Sequence, residues 1–210
     1  MGLGAGSTIL NQADLVLVLP DAEVALRRSD PIMATLIDRY GRCQIGPELP
    51  EPFQTLVHSM IGQQLSVKAA RSISQKVVQQ LEDELSPKVL LSASEERLRQ
   101  AGLSRSKCRY LKALSELVES GTLHLEQLST LSDEKVVEQL IRVPGIGRWT
   151  AEMFLIFGLH RPDVFSLGDG GLKRAIQNLY DGAEMIYLGE LWRPYRSIAS
   201  WYLWQSLNNT

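Results

Sequence analysis

The chain has 210 residues, 44% hydrophobic and 22% charged, with a formal net charge of −2. These are the proportions of an ordinary globular chain, and no apolar run approaches the ~20 residues needed to cross a bilayer as a helix. The near-neutral balance excludes a nucleic-acid binder built on bulk positive charge, while leaving room for a local phosphate seat made from helix N-termini.

Reading from the N-terminus, the Gly-rich stretch Met1–Thr8 is expected to be a disordered leader, and no basic region precedes an apolar segment as in a secretory signal. Leu15–Leu19 is the lone strand candidate and has no partner. Residues 1–29 are read as an N-terminal segment and 30–210 as one domain of two helical lobes. Asp30-Pro31 has the pattern of an N-cap followed by proline at the first helical position. Ile32, Met33, Leu36, Ile37 and Tyr40 follow at helical spacing up to Gly41. Pro52 opens a second helix with Phe53, Leu56, Val57, Met60 and Ile61 on its apolar stripe, interrupted at Gly62-Gln63-Gln64. Ser66 caps the next, which faces inward with Ala70, Ile73, Val77 and Leu81. Ser92 and Glu95 have capping-box spacing, and their helix closes at Gly102. Ser104 caps a helix carrying Leu111, Leu114 and Val118, and Ser132 caps a short one carrying Val136, Val137, Leu140 and Ile141. Helices over Arg148 to about Phe157, Gly170–Tyr180 and Tyr195–Ser206 complete the chain. The expected fold is all-α.

Cys43 and Cys108 show no metal-ligand spacing and cannot supply a four-cysteine iron–sulfur cluster. Small buried apolar groups or surface thiols in a reducing compartment are the expectation. His58, His124 and His160 likewise show no metal spacing.

Leu140–Ala151 reads Leu-Ile-Arg-Val-Pro-Gly-Ile-Gly-Arg-Trp-Thr-Ala: a helix ends, a two-glycine turn follows and another helix begins. Gly145 and Gly147 permit positive φ and close approach of the main chain to a ligand. The following helix N-terminus offers free N–H groups and the positive end of a dipole, which together suit a phosphate. Further on stands Asp169, in Ser166-Leu167-Gly168-Asp169-Gly170-Gly171-Leu172-Lys173, placed to cap a helix. Lys173, Arg174, Arg148, Arg105, Lys107 and Arg109 are the candidate phosphate contacts among the charged residues.

Val143–Ala151, Asp163-Val164-Phe165 followed by Asp169, the Ile61–Ser66 core of Phe53–Ala70, and Trp192–Ser197 match in order over roughly residues 30–206. Together they resemble the helix-hairpin-helix DNA glycosylases, and within them the bacterial 3-methyladenine DNA glycosylase II group. The resemblance implies a two-lobed α-helical fold with an interlobe cleft. It implies DNA held at Gly145, Ile146, Gly147, Arg148 and Thr150, with Asp169 as the catalytic carboxylate. Trp149 and Trp204 match aromatic positions of the family's base pocket, with Trp201 and Tyr202 as secondary candidates. Met153 stands where the family has a tyrosine. Gln63 and Gln64 lie where relatives place an intercalating residue. The backbone carbonyls of Ile141, Val143 and Ile146 match a structural Na+ or K+ site; no cofactor is required.

Cleavage of the bond between base and deoxyribose builds positive charge on the sugar, as in glycoside hydrolysis. A carboxylate beside the sugar stabilises that charge and orients or deprotonates a water. Bifunctional relatives carry a nucleophilic lysine where this chain has Trp149, so hydrolysis without strand cleavage is expected. Purines alkylated at N3 or N7 are cationic and attracted to an aromatic face. The expected partner is double-stranded DNA containing alkylated bases. A monomer is expected, with no membrane association, in the cytoplasm of a bacterium or the nucleus of a eukaryote. Two alternatives remain open at this point: a glycosylase for another damaged or mismatched base, and a non-catalytic DNA-binding module.

Overall fold

The computed structural model describes residues 14–46 and 50–207, so the reading of Met1–Thr8 as a disordered leader lies outside the described residues. The elements are α1 (Asp14–Ser29), α2 (Pro31–Tyr40), α3 (Pro52–Gly62), α4 (Val67–Gln80), α5 (Pro87–Ser92), α6 (Glu95–Gln100) and α7 (Arg105–Glu119). A 3₁₀ turn (Leu125–Thr130) follows, then α8 (Asp133–Leu140), α9 (Arg148–Phe157), α10 (Gly170–Leu179), α11 (Met185–Leu191) and α12 (Arg196–Leu207). Among the described residues no strand occurs, in agreement with the all-α expectation.

Helix starts follow the cap chemistry of the sequence. The Asp30 carboxylate accepts from Ile32 and Met33 N–H. Ser66, Ser104 and Ser132 each accept from the amide three residues on. Each satisfies donors that a helix N-terminus leaves unpaired.

Two local expectations are corrected. Leu15–Leu19 is not a strand but part of α1, which buries Leu19, Ala22 and Leu26 at helical spacing; the unbroken apolar run masked that period. Ser94, not Ser92, caps α6 by accepting from Arg97 N–H. Ser92 instead closes α5, a short helix opened by Ser86 and Pro87.

The packing makes two lobes. In one, α3 lies against α4, α7 and α9, while α7 also holds α5 and α6, and α9 holds α8. The other joins both ends of the described chain: α1 on α2, and α12 on α1, α2 and α10. Residues 14–29 are thus built into the second lobe. Buried Asp30 stitches that lobe, its Oδ2 accepting from Tyr180 O–H at 2.7 Å and Trp192 Nε1–H at 2.8 Å. Burial first, and Asp30 second, hold the Tyr180 hydroxyl well above its ordinary pKa. Cys43 and Cys108 are free and buried. Burial pushes the Cys43 thiol up to about 12, so it stays protonated.

Candidate active site

The hairpin between α8 and α9 is braced from behind. Gly145 takes φ +85°, and a Cβ there would lie 2.4 Å from the Tyr110 ring of α7. The close approach that this glycine permits is therefore to Tyr110. Gly147 departs from the expected positive φ: at φ −94°, ψ 174° its backbone is extended, and it precedes α9 without a side-chain cap. Nothing lies within 4 Å of a Cβ at Gly147, so this face is open.

Gln63 sits in the turn after α3, and its Nε2 donates to Gly145 O at 2.8 Å and to Thr150 Oγ1 at 2.9 Å. Lys107 Nζ donates to Ile61 O and Gln63 O, closing the C-terminal end of α3. Two expectations change as a result. Gln63 is committed to the hairpin and unavailable as an intercalating side chain, and Lys107 caps α3 instead of facing a phosphate. Gln64 is exposed in the left-handed conformation, φ 59°. Thr150 is buried under Gln63. Lys173, Arg174 and Arg109 are exposed. Arg105 is engaged with Glu95 at 3.8 Å.

Asp169 caps α10 and is only 6% exposed. Its Oδ1 accepts from Leu172 N–H at 2.6 Å and from Trp204 Nε1–H at 3.0 Å. Its Oδ2 accepts from Trp149 Nε1–H at 2.6 Å. Since Trp149 belongs to the first turn of α9, the carboxylate stands beside the hairpin. A Cβ at Gly171 would fall 3.0 Å from Asp169 Oδ1 and 3.2 Å from the Trp204 ring. That glycine makes room for the carboxylate–indole contact.

Asp169 opens on a cleft of about 1240 Å³ lined by residues of α3, α4, α9, α10 and α12. Trp149, Met153, Phe157, Trp201 and Trp204 line it, and the rings of Phe157 and Trp204 meet at 5.7 Å. Tyr202 is not among them; its hydroxyl donates to Glu23 Oε1 and Gly41 O in the second lobe. Phe157 carries no motif signal in the sequence, and only its place on α9 beside Trp204 brings it into the cleft. His58 also lines the cleft, and burial pushes its imidazole below the usual value, so it is neutral at pH 7. Among the described residues no lysine lines the cleft.

A two-glycine hairpin braced by Gln63 and Tyr110, with a helix-capping carboxylate at its side, defines a helix-hairpin-helix protein. The chain belongs to the family described as HhH-GPD superfamily base excision DNA repair protein, which matches residues 57–185. It is 32% identical over 209 residues to DNA-3-methyladenine glycosylase 1 of Schizosaccharomyces pombe, covering 94% of this chain and 92% of that one. A solved structure of 3-methyladenine DNA glycosylase (Mag1) from that yeast, in complex with abasic DNA, superposes with a TM-score of 0.81 at 29% identity. It covers 90% of this chain and 97% of that one. The DNA-3-methyladenine glycosidase of Bacillus halodurans superposes with a TM-score of 0.74 at 40% identity, covering 90% of each chain.

Proposed function

We propose that the protein is a monofunctional DNA N-glycosylase that releases alkylated purines from double-stranded DNA. The observation that carries this reading is buried Asp169, held by three N–H donors beside the hairpin and opening on an aromatic cleft. A carboxylate has about two acceptor positions on each oxygen. Both positions on Oδ1 are taken and one on Oδ2 remains. The free position on Oδ2 faces the developing positive charge of the sugar or takes a proton from the attacking water. Trp149, Trp204 and Phe157 offer aromatic surface to a cationic base, and neutral His58 does not repel it. The absence of a cleft lysine among the described residues supports hydrolysis without strand cleavage.

The hairpin's free N–H groups at Arg148 and Trp149 seat a phosphate, with Lys173 and Arg174 as flanking charges. Gln64 is the residue that fills the gap left by the extruded base. The carbonyls of Ile141 and Ile146 accept no backbone hydrogen bond among the described residues, and that of Val143 accepts one, from Ile146 N–H at 3.0 Å. This oxygen donor set suits a hard monovalent cation, which would stiffen the hairpin and take no part in bond cleavage. The names of the Schizosaccharomyces pombe glycosylase and of the Bacillus halodurans structure support alkylated purines as the substrate class.

The test is mass spectrometry of bases freed from methylated duplex. Wild type is expected to release methylated purines, and Asp169→Asn to lower the rate by about 100- to 10,000-fold while still binding duplex with an abasic-site analogue. Release of only oxidised or mismatched bases from other duplexes would move the substrate class. No release from any duplex, with binding intact, would leave a binding module.

A further inference from the structure

Glu152 lies on α9 one helical turn beyond Trp149, with its side chain 13% exposed. Burying a carboxylate costs desolvation that an apolar residue would avoid. Its Oε1 lies 3.4 Å from Arg148 Nη1, whose side chain is 74% exposed; a pair of that kind stabilises little. Its Oε2 accepts from the Ser166 hydroxyl at 2.5 Å, and Ser166 is fully buried. Ser166 in turn begins the tight turn that ends at Asp169, whose N–H donates to Ser166 O at 3.0 Å.

The middle of that turn has little support of its own. Leu167 is 48% exposed, and nothing lies within 4 Å of a Cβ at Gly168. Both ends are held from one face of α9, because residues three apart on a helix are neighbours. Glu152 holds Ser166, and Trp149 holds Asp169.

We propose that Glu152 is a positioning residue: with Trp149 it clamps both ends of the Ser166–Asp169 turn onto the hairpin helix and so aims Oδ2 of Asp169. The inference rests on the reading of Asp169 as the reacting carboxylate. The clamp ties the reacting group to the helix whose first turn seats the DNA backbone, so a bound phosphate and the carboxylate share one rigid frame.

The test compares single-turnover release of methylated purines with affinity for duplex containing a tetrahydrofuran abasic analogue. Glu152→Ala and Ser166→Ala are each expected to slow release about 10- to 100-fold, the scale of a displacement near 1 Å, with affinity unchanged. Glu152→Gln, whose amide oxygen still accepts from Ser166, is expected to restore most of the rate. Wild-type release by either alanine variant overturns the clamp, as does a parallel loss of rate and affinity, or a Gln variant as slow as the Ala one. If Glu152→Ala does not fold, Ser166→Ala decides by the same criteria. Asp169→Asn is run beside them. If it stays active, the reading of Asp169 is at fault; if it is inactive while both alanine variants are fully active, only the clamp fails.

Discussion

Trp149 and Trp204 turn indole N–H groups, and not only ring faces, toward Asp169. Under the proposed function this gives each aromatic two tasks, an apolar surface for the base and a fixed donor for the carboxylate. The tasks separate in Trp149→Phe, which keeps the ring and removes the donor. A hydrogen bond to a charged group is worth about 1.5–3 kcal/mol. If most of that acts on the aim of Oδ2, release of methylated purines falls by about tenfold or more, measured in single turnover. Affinity for abasic duplex is expected to stay near wild type, and an equal drop in both would assign Trp149 to binding alone. The helix-cap position of Asp169 was legible from its motif. Its indole partners were legible only as pocket aromatics, because hydrogen-bond direction depends on how α9, α10 and α12 converge. Gly171 shows the same limit: its neighbours in space are Asp169 and Trp204, and the latter is far away in the chain.

Elements set the precision of the site. Helix α9 presents its N-terminus to the hairpin's open face and its inner side to Asp169 and Ser166. Helix α3 reaches the same hairpin through Gln63, and α7 supports it through Lys107 and Tyr110. The hairpin is therefore held by three elements, and its geometry at Gly145 is exacting. Gly145→Ala places a side chain at φ +85°, against the Cβ and ring of Tyr110. Positive φ costs about 1 kcal/mol for a residue with a side chain, and the collision adds to it. The expected result is a lower melting temperature together with weaker binding of abasic duplex. Unchanged values for both would show that the hairpin is not built as described. Most helices were legible from cap and period. Three escaped, α1, α5 and α11. α1 begins in an unbroken apolar run and contains Pro20; α5 and α11 are too short to show a full period.

At the scale of the molecule, the lobe opposite the hairpin lobe is closed by helices from both ends of the described chain. Asp30 is the polar centre of that closure, taking two amide donors from α2 as well as Tyr180 and Trp192. Asp30→Ala leaves the buried Met33 N–H and Trp192 Nε1–H unpaired, each at about 1–3 kcal/mol, so a loss of about 2–6 kcal/mol is expected in denaturant unfolding. Asp30 lies outside the cleft-lining set, so the folded fraction is expected to release bases at the wild-type rate. A loss below about 1 kcal/mol, less than a single unpaired buried donor costs, would show that Asp30 does not hold the lobe. No helix among the described residues is long and apolar enough to cross a membrane.

The amino-acid sequence determined what local physics can write: helix starts at capping residues, a two-glycine hairpin, a carboxylate at a helix N-terminus, and the all-α class. Tertiary structure decided which of those groups meet. It set Gln63 on the hairpin and turned Lys107 to the end of α3. It also brought Glu152 and Ser166 together and aimed two indoles at one carboxylate. Caps and helical periods act over a few residues and leave a trace in composition and spacing. These contacts join residues brought together by lobe packing, and their directions exist only once the helices have docked.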